Sequence, residues 1–144
     1  MPKTVDFLAA SKRHYEDAEQ LTNSGRIPNA GQLFGFAAEC GLKALLVSHG
    51  LNTDPNTGDI IEPRPHKYKT HVDMLINHID AFSASRNFIK YLAMMPSLPT
   101  FSDWRAEHRY FDAAFIPLSH AHWYGAAKEI RIMLDQAKLD GVIA

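Results

Sequence analysis

Three polar stretches in this chain have the residue types and spacing for chemistry. The first is "WRAEHRY", residues 104 to 110, which packs Arg105, His108 and Arg109 into one short segment. On a helix these three share a face, since residues three and four apart are neighbours there. Two guanidiniums and an imidazole on one face could hold a phosphodiester and move a proton near neutral pH. In that reading Arg109 grips the phosphate, His108 is the acid or base, and Arg105 and Tyr110 add binding contacts. The competing reading is a solvated turn whose arginines pair with Glu107 or Asp112.

The second stretch is "RPHKYKTH", residues 64 to 71, where Lys69 and His71 stand beside Arg64, His66 and Lys67. It is the best local basic patch for RNA or nucleotide phosphate; the alternative is a solvated loop without a ligand. The third is "GFAAECGLKALLVSHG", residues 35 to 50, apolar nearly all round yet carrying Glu39 and Lys43 one helical turn apart. The simplest account is an ion pair of a few tenths of a kcal/mol. The functional account adds Gln32 on the same stripe and makes it the polar floor of a groove, orienting other groups. One such group is Arg109, for which Glu39 is a candidate carboxylate partner.

No metal site and no cofactor is expected. His120 and His122 are two apart on a helix and point about 200° from each other, while His71 and His78 lie two turns apart. Cys40 falls on an apolar helix face and reads as an inert core residue. No glycine-rich phosphate loop or Ser/His/Asp arrangement is present.

These groups need a scaffold, and the totals bound it. With 144 residues and 46% hydrophobic content the chain suits one domain with one core, residues 1 to 144. A net charge of −1 argues against a constitutive high-affinity DNA binder, so nucleic-acid contact needs a local patch. A single cysteine excludes an intramolecular disulfide. With no signal-peptide pattern and no continuous apolar span of about 20 residues, a cytoplasmic location is expected.

The spacing of apolar residues predicts helices over residues 5 to 23 with Thr4 as N-cap, 30 to 49 closed by Gly50, from Thr70 onward, 87 to 95, and 118 to 139. The second has two apolar faces and should be central. Its Gly31, Gly35 and Gly41 cost helix propensity, which predicts close approach of a neighbouring backbone. Buried stripes are expected at Val72, Leu75, Ile76 and Ile79, and at Trp123, Ala127, Ile130, Leu134 and Ala137. Residues 50 to 69 form the longest loop, with "DIIEP" at most a stray extended piece. The fold class is all-α, an up-and-down bundle of four to five helices.

The order of these features resembles the HEPN family (higher eukaryotes and prokaryotes nucleotide-binding). The likeness lies in residues 6 to 46, where Ala38, Glu39, Lys43 and Ala44 fit an A-E-x-x-x-K-A core, in "KTHVDMLINHI", residues 69 to 79, and in "HRYFDAAF", residues 108 to 115. It implies a helical bundle, a homodimer, and binding of RNA or nucleotide. It also implies a weak or divergent metal-independent ribonuclease of toxin–antitoxin or defence type, or alternatively a non-catalytic module acting with a nucleotidyltransferase-type or other protein partner.

The family's catalytic members place a His after an Arg and four to six residues. After Arg109 those positions hold Ala114, Phe115 and Ile116, and after Arg105 they hold Tyr110, Phe111 and Asp112. Only Arg64 and His71 match, and about one such spacing is expected by chance in a chain of this composition. The missing His favours the non-catalytic reading; the Arg/His cluster favours the catalytic one.

Overall fold

The computed structural model describes residues 3–82 and 84–144. They are all-α: among them the only extended pairing is an isolated antiparallel bridge between Thr53 and Ile60. Three long helices make the frame, α1 (Phe7–Asn23), α2 (Ile27–Ser48) and α5 (His120–Leu139), joined by the short α3 (Val72–Leu75) and α4 (Arg86–Leu92) and by 3₁₀ segments. Helix α2 packs against both α1 and α5, which touch each other little.

The central position of α2 follows from its two apolar faces. Phe34, Leu42, Leu45 and Leu46 are fully buried in one core with Ile130 and Met133 of α5. By length and hydropathy α2 could also cross a membrane, but 72% of that apolar window is already buried inside the fold.

The α2 glycines are seats for bulky side chains rather than for backbone, which corrects the expected partner. A Cβ on Gly31 would lie 2.9 Å from the Trp123 ring, and one on Gly41 would lie 2.6 Å from Ile130. On Gly35 it would fall inside the Trp104 indole. The Trp104 Nε1–H donates to the Gly31 carbonyl at 3.2 Å, so the indole is pinned as well as packed. The Trp123 Nε1–H donates to Asp103 Oδ1 at 2.9 Å, fastening the segment before Trp104 to α5.

Several boundaries move for local reasons. Helix α1 begins two residues late because Asp6, not Thr4, is the N-cap, its Oδ1 accepting from the Ala9 N–H at 2.9 Å. Helix α2 begins early because Pro28 sits in its first turn, where a missing N–H costs nothing. The helix expected from Thr70 is a single turn, Val72–Leu75, capped by the backbone of His71, while the Thr70 hydroxyl donates to the Lys67 carbonyl at 3.2 Å. Ile79 still reaches the core, but from a separate 3₁₀ turn, Ile79–Phe82. The α5 stripe Trp123, Ala127, Ile130, Leu134 and Ala137 is buried throughout.

Candidate functional site

The 50-to-69 loop folds back on itself, and this places His71. Thr53 bridges Ile60, and Glu62 Oε1 accepts the backbone N–H groups of Tyr68 and Lys69 at 2.9 and 2.7 Å. Burial pushes the Glu62 carboxyl up, but these N–H donors outweigh it and hold it below the usual range. With residues 68 and 69 fixed, His71 arrives at α3 facing the middle of α2. Its Nδ1 lies 2.8 Å from Glu39 Oε1.

A carboxylate only accepts, so Nδ1 carries the proton. Nε2 makes no hydrogen bond with the described residues, and the side chain is 48% exposed. The ring rests edge-on against Phe36 and Trp104, with centroids 5.9 and 6.2 Å away. Glu39 Oε2 is held by Lys43 Nζ at 3.0 Å, and Lys43 is only 7% exposed. Here is the reason an apolar helix keeps an acid and a base. The acid orients an imidazole supplied by another segment, and the base balances the acid's charge.

Arg105 follows Trp104 in the chain. Its Nη1 donates to Asp73 Oδ2 at 3.1 Å and to the Ser102 and Trp104 carbonyls at 3.0 and 3.2 Å. Nη2 and Nε make no hydrogen bond with the described residues, and the side chain is 49% exposed. An imidazole with a free Nε2 and half of a guanidinium fork are therefore both anchored at the start of α3, His71 through Glu39 and Arg105 through Asp73, two residues from His71. That pairing suits a phosphodiester: the fork binds oxygen, and the imidazole moves a proton.

The segment expected to hold Arg105, His108 and Arg109 on one face does not gather them. It is a 3₁₀ turn, Ala106–Tyr110, with Arg105 as N-cap. His108 turns inward, lies along Trp123 with ring centroids 6.2 Å apart, and accepts from the Arg105 N–H at 3.4 Å. Burial first, then the Arg105 charge, push its pKa down. A buried neutral ring already used as an acceptor is no proton shuttle, so the expected acid–base role of His108 has no geometry behind it. Arg109 points outward, 4.9 Å over the Tyr110 ring, and meets no carboxylate among the described residues; the expected Glu39–Arg109 pair is replaced by Glu39–His71.

Of the remaining candidates, Lys69 is taken by Asp59 at 3.2 Å. Arg64 is exposed and makes no ion pair among the described residues. Tyr110 is exposed beside Arg109. Gln32 is buried, its amide donating to the Ala106 carbonyl at 3.2 Å, so it ties the 3₁₀ turn to α2 instead of flooring a groove. Cys40 is pushed up to about 11 by burial and by Glu39, which makes it inert as a thiolate. His120 packs on Phe34 and shares a 2.9 Å hydrogen bond with the Thr22 hydroxyl.

Sequence reasoning missed Trp104, Phe36 and Asp73. The only signal was Gly35, which predicts close approach of a neighbouring backbone and is filled by the Trp104 indole instead. Compared with known proteins, the chain matches no family model, no curated protein and no solved structure.

Proposed function

We propose that this chain is an HEPN-like helical protein that binds RNA or a nucleotide by its phosphate at the His71–Trp104–Arg105 edge. The observation behind the reading is the Glu39–His71 contact, which leaves a half-exposed imidazole with one nitrogen free, two residues from the Asp73 that holds one edge of the Arg105 guanidinium. At such a site an RNA phosphodiester would place oxygens on Nη2 and Nε of Arg105. If the protein cleaves, His71 Nε2 takes the proton of the 2′-hydroxyl. The 2′-oxygen then bonds to phosphorus, the 5′-oxygen leaves, and that oxygen takes its proton from water. No metal takes part in this step.

The test is fluorescence polarisation of a labelled single-stranded RNA and of a labelled nucleotide, in EDTA, with the wild type, His71→Ala and Arg105→Ala. The reading expects binding that weakens by about 1–3 kcal/mol in Arg105→Ala, as for loss of a charge-assisted contact. Cleavage, where present, persists in EDTA and disappears in His71→Ala. Wild-type protein that binds neither probe sinks the reading.

A second reading, a non-catalytic module with a protein partner, is favoured by one observation. Tyr110 and Phe115 are 76% and 77% exposed on the segment leading into α5, an apolar area that a partner would cover. A homodimer fits either reading. The apolar residues of α5 expected from sequence to meet a second copy, Trp123 and Ile130, are buried within the protomer, so a dimer through α5 would use its exposed Ile132 and Leu139.

A further inference from the structure

At the end of the bundle where α1 begins and α5 ends, a groove of about 900 Å³ opens between the start of α1, the last turns of α2 and the chain after α5. Its floor is apolar: Phe7 and Leu8 from α1, Ala44 and Val47 from α2, and Val142 and Ile143 beyond α5. Its rim carries Lys3, Lys12 and Lys138. None of the three has a carboxylate within ion-pair distance among the described residues, whereas Lys43, Lys69 and Lys90 each have one.

The polar groups that could fill the groove are already hydrogen-bonded elsewhere, although the Asp6 carboxylate keeps its charge. The only acidic side chain in the lining is Asp6, and its Oδ1 caps α1. The Ser48 hydroxyl donates to the Leu45 carbonyl at 2.6 Å. Lys43 approaches the groove wall, 6.0 Å over the Phe7 ring, but its charge is given to Glu39. What remains is an apolar trough whose lining carries three ammonium groups, none ion-paired among the described residues, against the one side-chain carboxylate of Asp6.

The complement of that surface is an anion with an apolar body. Small-ligand sites span roughly 300–1,000 Å³ and combine an apolar lining with a few polar groups that fix orientation. Lysine is a compact point charge without the planar fork that selects phosphate, so a single carboxylate can sit among several of them. The structure assigns to this groove a monomeric acyl carboxylate of medium to long chain, its tail on the Phe7–Val47–Ile143 floor and its head among Lys3, Lys12 and Lys138. The site is separate from the Glu39–His71 edge and does not depend on the proposed function.

The test is isothermal titration of the full chain with dodecanoate below its micelle concentration, with dodecanol and anionic phosphatidylglycerol vesicles as comparators. Saturable one-to-one binding of dodecanoate is expected, at least about tenfold tighter than dodecanol. Lys12→Gln/Lys138→Gln should lose about tenfold, with an unchanged melting temperature because both side chains are exposed. Val47→Glu should abolish binding, and its circular dichroism melt reports whether it still folds. Three outcomes overturn the assignment: no saturation by dodecanoate, undiminished affinity in the double lysine variant, or association with vesicles alone.

Discussion

His71 Nδ1 lies 2.8 Å from Glu39 Oε1, although 32 residues separate them in the chain. Glu39 is also the sole ion-pair partner of the buried Lys43 among the described residues. Removing the acid therefore strands a buried ammonium, whereas removing the exposed imidazole does not. Glu39→Gln should cost about 3 kcal/mol, a fall of roughly 10 °C in Tm. His71→Ala should cost less than about 1 kcal/mol. Paired thermal melts decide it, and equal losses would contradict this assignment of roles.

The seats on α2 predict opposite signs for the same substitution. Gly35→Ala drives a methyl into the Trp104 indole, a side chain with no room to move, and should cost about 3 kcal/mol. Gly125→Ala, in α5 with nothing within 4 Å of the added Cβ, should stabilise by about 0.5–1 kcal/mol through helix propensity. Urea denaturation of both variants measures the contrast. A stable Gly35→Ala protein would mean that Trp104 is not fixed against α2.

Burial lowers the pKa of His108 and of His120 from the ordinary value of 6.5. The unfolded chain then binds more protons than the folded one as pH drops below about 6.5, so stability falls in that direction. The carboxyls act lower: Asp59 and Glu62 are held below their ordinary 3.8 and 4.5, and hydrogen bonds from Lys90 and Tyr91 hold Asp140 down to about 2. Their contribution is present above those ordinary values and is lost as pH falls through the depressed ones. Melting temperature should therefore decline between pH 7 and 5, and His120→Phe should flatten the decline. A flat wild-type profile over that range would refute the assignment of neutral buried rings.

Light scattering at tens of micromolar, on the order of 10⁻⁵ M, should give a dimeric mass. Ile132→Lys with Leu139→Lys should give a monomer without loss of helical signal, because both side chains are exposed in the protomer. A monomeric wild type removes the dimer from either functional reading.

The sequence by itself determined the helices whose periodicity is long enough to be unambiguous. The line from Trp123 to Ala137 in α5 is buried throughout, and so is the α2 face with Phe34, Ala38 and Leu45, while Leu33, Phe36, Cys40 and Val47 on its other face are half-buried. It also marked Gly31, Gly35 and Gly41 as places of close approach, but the expected backbone neighbour is a side chain at each, Trp123, Trp104 and Ile130. Short elements were not legible: the turn at Val72–Leu75 and the 3₁₀ turn at Ala106–Tyr110 are held by contacts from outside their own windows, so their period carries little information.

The site depended most on tertiary structure. Glu39 and Lys43 announced themselves as an ion pair, but nothing local says which group the acid serves. The answer depends on a long loop closed by Glu62 and the Thr53–Ile60 bridge, which brings His71 to α2. It depends equally on Trp104 filling the gap at Gly35, which turns Arg105 outward and His108 inward. Helical periodicity relates residues three and four apart, so it could put Arg105, His108 and Arg109 on one face. Only the packing of the Trp104 indole onto the distant α2 could show that they diverge.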